Sequence, residues 1–196
     1  MRGLPTPRSR TCSHILATWV LLFIFIPQLG WATGTPAGTD ISNVATVGYD
    51  IGGVNQPPVT SSPVTFKIDE LIQLVLTWQD GTPVVVNAPG ANGVLTFLLT
   101  NSGNGQELFG LARNNGPAPL PAGNYTPMDG SIGSIYLESN GLPGFQATDT
   151  VYIPGVNDPN LASNAGQIIY VISDTPNVPG NALGEVLLTA SSLTAG

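Results

Sequence analysis

After residue 33 no stretch repeats apolar residues at helical spacing for three turns, and Gly, Pro, Asn, Asp, Ser and Thr interrupt the chain every several residues. Such punctuation cuts the chain into segments too short for long amphipathic helices, so the core must come from strands joined by turns. Between Ile41 and Ile51, period-two alternation puts Ile41, Ala45, Val47, Tyr49 and Ile51 on one face. Gly52-Gly53 and Pro57-Pro58 then mark a turn, and Val64, Phe66 and Ile68 alternate in a second strand, so residues 41–68 read as one long hairpin. A lone hairpin is marginal in water, which requires this one to dock on the rest of the chain or on a neighbour.

From Leu71 to Trp78, Ile72, Leu74, Leu76 and Trp78 share a face opposite Gln73 and Thr77, which makes Trp78 a core residue by pattern. Val94-Leu95-Thr96-Phe97-Leu98-Leu99 is apolar on both sides, as a central strand would be, and runs into the turn-rich Asn101-Ser102-Gly103-Asn104-Gly105. Further strands are expected near 107–112, 132–138, 150–153, 167–173 and 184–190. About eight short strands without crossover helices favour an antiparallel sandwich over a parallel sheet. Between Arg113 and Ser131 a stretch with Pro117, Pro119, Pro121 and Pro127 is long for a connection in a compact domain, so it is either mobile or functional.

The N-terminus has a different character. Arg2, Arg8 and Arg10 precede an apolar run from Ile15 to Ile26, broken by Pro27 and followed by Gly30-Trp31-Ala32, the layout of a signal peptide cleaved after Ala32. The run is short for a membrane span. The expected organisation is a signal peptide over 1–32, a hairpin segment over 33–69 and a sandwich domain over 70–196, in a protein that is secreted or held at the cell surface or in the periplasm. No membrane insertion is expected once the signal is removed.

Removing residues 1–32 leaves 164 of the 196 residues, enough for one sandwich plus an appendage. The only cysteine, Cys12, and the only histidine, His14, lie in the removed segment. Cys12 precedes the apolar run and so cannot be the lipidated residue of a lipoprotein. Of the basic residues only Lys67 and Arg113 remain, and two against twelve acids leave a net charge of −10. Two cations cannot form the basic stripe that a phosphate backbone needs, which excludes nucleic acid as a partner, and an anionic membrane surface is equally disfavoured.

Several segments together resemble a known family. Ile41-Ser42-Asn43-Val44-Ala45-Thr46-Val47, Pro63-Val64-Thr65-Phe66 and Leu98-Leu99-Thr100-Asn101-Ser102-Gly103-Asn104-Gly105 are similar to the bacterial conserved-repeat domain of surface, S-layer-associated and outer-membrane-associated proteins. So are Ile135-Tyr136-Leu137-Glu138-Ser139-Asn140-Gly141 and Tyr152-Ile153-Pro154-Gly155-Val156-Asn157-Asp158-Pro159, and the resemblance runs over most of residues 38–190. It implies an all-β, immunoglobulin-like antiparallel β-sandwich with an N-terminal β-hairpin. In the family's tandem arrays the 41–68 sequence looks like the closing hairpin of one repeat, with Asp69-Glu70 at the seam into the next.

The family often carries spaced aspartates after its Tyr-Leu strand, resembling a calcium loop. Here Glu138 and Asn140 offer oxygens at alternate positions, but Leu142 stands where a fifth-position oxygen belongs, with Asp149 and Asp158 farther on. Glu138, Asn140 and Asp149 are therefore a calcium candidate set against the plainer reading of a polar turn. Without His or Cys, triads and zinc chemistry fall away. What survives is an acid–base carboxylate pair drawn from Asp69-Glu70, Glu138 and Asp149, which any acidic surface supplies. Tyr125, in the Pro-rich stretch, is the aromatic expected outside and a candidate interaction residue, and Asn124-Tyr125-Thr126 matches a glycosylation acceptor. The sequence thus reads as a non-catalytic structural or interaction module without a cofactor, its partners other surface proteins or copies of itself joined through strand edges. A calcium- or glycan-binding module is the alternative.

Overall fold

The computed structural model describes residues 34–116 and 123–194. The expected signal peptide and residues 117–122 of the Pro-rich stretch lie outside them. The described chain is all-β, with no helix. Its strands are β1 (Asp40–Asn43), β2 (Thr46–Val47), β3 (Asp50–Ile51), β4 (Val54–Asn55), β5 (Val59–Thr60), β6 (Val64–Lys67), β7 (Leu74–Trp78), β8 (Gly90–Asn101), β9 (Glu107–Asn115), β10 (Met128–Asp129), β11 (Ile135–Leu137), β12 (Thr150–Val151), β13 (Asn160–Leu161), β14 (Gly166–Thr175) and β15 (Val186–Ser192).

The first six strands form the expected hairpin, pairing β1 with β6, β2 with β5 and β3 with β4. Gly52 and Gly53 make its tip, both in the left-handed region (φ 59° and 82°), between the opposed pair Ile51 and Val54. That is the two-residue turn whose twist suits a hairpin and which glycine adopts without a Cβ penalty. Pro57-Pro58, expected to belong to the turn, lies instead in the return arm.

The prolines have another role. From the pair Asn43–Val64 to the pair Thr46–Thr60 the outgoing arm advances three residues and the return arm four, and the same happens from Val47–Val59 to Asp50–Asn55. Each extra residue is a bulge, one at Ser61-Ser62-Pro63 and one at Gln56-Pro57-Pro58, where proline has no ladder hydrogen bond to lose. Val64, Val59 and Val54 are five apart, a spacing that would alternate faces in a regular strand. The two bulges restore the phase, so all three face the same way as Ile41, Val47 and Ile51.

The rest of the chain forms two sheets. The larger has the antiparallel order β12-β11-β14-β8-β7, with β10 also on β14, and the smaller the order β13-β9-β15. At the centre of the larger sheet Phe97 opposes Ile169 and Leu95 opposes Val171, with Ile135 and Leu137 of β11 beyond. Their inner face meets Phe109 and Leu111 of β9, Leu161 of β13 and Leu188 of β15 in one apolar cluster. The sheets thus pack face to face in a sandwich-like body. On the outer side of the large sheet Tyr136, Tyr170 and Ile172 make a second cluster with Val94 and Phe145, whose ring stands edge-on to Tyr136 and Tyr170 at 4.9 and 5.8 Å. This second layer explains why Val94–Leu99 is apolar on both faces.

Arg113 ties the sheets together. Its side chain is 5% exposed, and its guanidinium donates to the carbonyls of Ile172 and Met128 and to Ser173 Oγ on the facing sheet, with Asp129 Oδ1 at 3.3 Å. Burial lowers its pKa, while Asp129 and Asp174 oppose that change.

Candidate interaction surface

Two apolar faces marked by alternation are exposed, and they define the site; for the hairpin this leaves the expected docking on a neighbour. The hairpin does have one apolar face, but none of the described residues covers it. Tyr49, Ile51, Val54, Val59, Val47, Phe66 and Val64 are between 43% and 69% exposed. The opposite face is polar and paired across the strands: Lys67 Nζ lies 2.6 Å from Asp40 Oδ1, the hydroxyls of Thr46 and Thr60 are 3.2 Å apart, and Ser42 opposes Thr65. The ribbon is therefore amphipathic. Its twelve-residue outgoing arm (Asp40–Ile51), at about 3.3 Å per residue and roughly 10 Å of width, presents about 400 Å² of largely apolar face, within the range of the largest apolar patch on a typical monomer, which is often functional.

Asn104 holds the hairpin's base against the body. Its side chain accepts from the Leu71 amide (2.7 Å) and donates to the carbonyls of Asp69 (3.0 Å) and Thr35 (3.2 Å), while its carbonyl accepts from Ala37 N. The turn that carries Asn104 is fixed by buried Asn101, whose Nδ2 donates to the carbonyls of Gly105 and Leu161 and whose Oδ1 accepts from Gly103 N. Gly103 is required there, because a Cβ at this position would lie 2.2 Å from the Leu71 carbonyl oxygen.

The second face is that of Trp78. It points toward the inner face with Leu74 and Leu76, yet it is 43% exposed and its indole donates to Asp80 Oδ2 at 2.6 Å. Trp78 is the last residue of β7, an edge strand paired on one side only, while β15 of the facing sheet lies against β7. Leu99 of β8 and Leu188 of β15 are buried, whereas their neighbours Leu74, Leu76, Leu95, Phe97, Val186 and Ala190 are only partly buried.

The candidate calcium residues do come together. Glu138 Oε1 accepts from the amides of Asn140 (2.9 Å) and Gly141 (2.8 Å), and Oε2 accepts from the Tyr170 hydroxyl (2.8 Å). Asp149, 5% exposed, accepts from Asn140 Nδ2 (2.9 Å) and Gln146 N (2.8 Å), and Asn140 Oδ1 accepts from Leu142 N (2.8 Å). Among the described residues no group of three or more His, Cys, Asp or Glu side chains is placed to hold a metal ion. The Tyr170 bond holds Glu138 below the usual carboxylate range. Burial, with Glu138 beside it, pushes Tyr170 up to about 12. The Asp69-Glu70 pair sits at the hairpin base, with Asp69 Oδ1 accepting from Glu70 N.

Tyr125, expected outside, is half-buried: its amide donates to the Leu183 carbonyl, its ring lies against Gly184, and its hydroxyl is 3.3 Å from Thr175 Oγ1. Asn124 Oδ1 accepts from Leu183 N. The more exposed aromatics are Tyr49, Phe66 and Trp78, which sequence reasoning assigned to buried faces because alternation marks a face without saying what covers it. No protein-family model, curated protein or solved structure matches the chain.

Proposed function

We propose that the chain is a non-catalytic structural or interaction module of a bacterial cell surface, an immunoglobulin-like sandwich exported by its N-terminal signal and joined to its surroundings through the hairpin. The observation that carries this reading is the uncovered apolar face of residues 41–66, which a hairpin in water must bury against something. The acidic balance after residue 32 and the resemblance of residues 38–190 to the bacterial conserved-repeat domain support a surface location.

The test is to place Lys at Val47 and Val59 together in the producing cell and follow where the protein goes. The unaltered protein is expected in the cell-envelope fraction. The double variant is expected free in the medium, with its melting temperature within about 2 °C of the parent, because the substituted residues lie outside the core. Retention of the variant at the parent level would refute the reading.

A further inference from the structure

We propose that the hollow on the outer face of the smaller sheet binds a primary alkylammonium group, carried by a free amine or by a lysine side chain. The site shares no residue with the hairpin's apolar face and goes beyond the interaction-module reading.

The hollow follows from side-chain size. On β9 and β15, Phe109, Leu111 and Leu188 point into the core, so the residues between them point outward. There Gly110 opposes Ser191 and Ala112 opposes Thr189, two neighbouring pairs of small residues. Leu193 and the loop from Tyr152 to Asp158 stand around this floor and leave a cavity of about 270 Å³. Drug-sized ligands take pockets of about 300 Å³ or more, so this one suits a chain of about five atoms.

The loop is fixed before any ligand arrives, which lowers the ordering cost of binding. Tyr152 is buried in the core, and its hydroxyl accepts from Leu111 N (2.9 Å) and donates to Asp158 Oδ1 (2.6 Å). Gly155 N donates to Asp158 Oδ2 at 2.9 Å. Asn157 fastens the bend between them, accepting from Ile153 N (2.6 Å) and donating to the Val151 carbonyl (2.8 Å).

Burial raises the Tyr152 pKa, and Asp158 as acceptor of its proton adds to the rise, so Tyr152 stays a neutral donor and the carboxylate is the charged group of the hollow. Both of its donors are neutral, and a carboxylate keeps lone pairs beyond two hydrogen bonds. The two cations after residue 32, Lys67 and Arg113, lie beside Asp40 and Asp129, and neither lines the hollow. A half-buried carboxylate without a counter-charge attracts a cation more strongly than one in open water.

The lining selects the kind of cation. A calcium ion takes several hard oxygens, and among the described residues no group of three or more His, Cys, Asp or Glu side chains is placed to hold a metal. With Tyr152 buried, the hollow offers no ring on which a sugar could stack. An ammonium head finds Asp158 and the Ser191 and Thr189 hydroxyls, and Thr189 Oγ1 already spends its proton on the Ala112 carbonyl, leaving lone pairs to accept. Leu193, Pro154 and Ala112 cover a hydrocarbon stem, as apolar surface does for lysine side chains elsewhere.

The test is a titration of the isotope-labelled protein, followed through the amide resonances of Gly110, Ala112, Gly155, Thr189 and Ser191. The probes are cadaverine and an end-blocked pentapeptide with one lysine among glycines, and the controls are pentanol, which lacks the charge, and ammonium chloride, which lacks the stem. Saturable shifts at these amides are expected from at least one probe, with both controls binding about tenfold more weakly or less. Saturation by the peptide would assign the site to a protein partner's lysine, and saturation by cadaverine alone to a free amine. Asp158→Asn should weaken binding roughly tenfold or more, the scale of one hydrogen bond to a charged group. Ala112→Leu fills the floor without altering Asp158 and should abolish binding, with the melting temperature within about 2 °C of the parent because Ala112 is exposed. Absence of shifts from both probes would overturn the proposal. So would shifts that grow without saturation and spread over the other carboxylates, or parent-like binding by both variants.

Discussion

The hairpin and the two-sheet body obey the same period-two alternation, yet they meet water in opposite ways. In the body, Leu99, Phe109, Ile169 and Val171 are sealed from solvent because two sheets supply each other's missing surface. In the hairpin, Val47, Val59, Val64 and Phe66 form as coherent a face with no second layer among the described residues. Alternation therefore marks a surface that must be covered, and whether the cover lies in the same molecule is a separate question. Trp78 stands between the two cases, on the inner face with Leu74 and Leu76 yet 43% exposed.

The contrast is sharpest in the response to truncation. Phe109→Ala should lower unfolding free energy by about 3–5 kcal/mol in denaturant titration, whereas Val59→Ala should change it by less than about 0.5 kcal/mol at concentrations where the protein is monomeric. A large loss from Val59→Ala in the monomer would show that the hairpin is already covered within its own chain.

Polar links should divide in the same way. Removing Arg113, with its carbonyl partners on the facing sheet, should cost on the order of 2–3 kcal/mol, because buried acceptors are left unpaired. Lys67→Ala breaks an exposed pair with Asp40 and should cost about 0–1 kcal/mol, less at high salt. Equal costs would erase the distinction between body and hairpin.

Calcium probes the loop at Glu138. With its oxygens already accepting from amides and the Tyr170 hydroxyl, millimolar calcium is expected to shift the melting temperature by less than about 1 °C. A rise of several degrees that Glu138→Ala abolishes would make the loop a cation site.

The smallest effect concerns the Glu138–Tyr170 bond. Tyr170 has a folded-state pKa raised to about 12 from its ordinary value of 10.0, so its contribution is complete below pH 10.0 and lost as pH rises toward about 12. Glu138 is shifted the other way, and its contribution is present above its unfolded value of 4.5 and lost as pH falls through the lower folded one. In Tyr170→Phe, the alkaline part of this dependence should vanish and the acid part weaken, as read by melting curves across both windows. An unchanged alkaline profile would mean that another group titrates there.

Much of this was legible in the residues. The absence of helical periodicity, the hairpin with its apolar face, and the two-sided strand at Val94–Leu99 all appear in the structure. The tip at Gly52-Gly53 was also readable, since paired glycines favour that turn. The bulges were not: Pro57-Pro58 signals a break, and the break took the form of an extra residue within an arm instead of a reversal. Trp78 is half-exposed and Tyr125 half-buried because burial depends on which strands end up opposite, a long-range outcome that local pattern does not encode.

The amino-acid sequence by itself determined that this chain is β, where it turns, and which side chains share a face, because backbone sterics and side-chain alternation act over a few residues. The tertiary structure alone decided that β15 of the smaller sheet comes to lie against β7 of the larger, that Asn104 fastens the hairpin to the body, and that an exposed apolar ribbon and a sealed core coexist in one molecule. Those features depend on pairings between residues tens of positions apart, whose free energies are settled by how many strands find partners. The hairpin's alternation specified a face to bury, and the described residues pack elsewhere and leave it exposed.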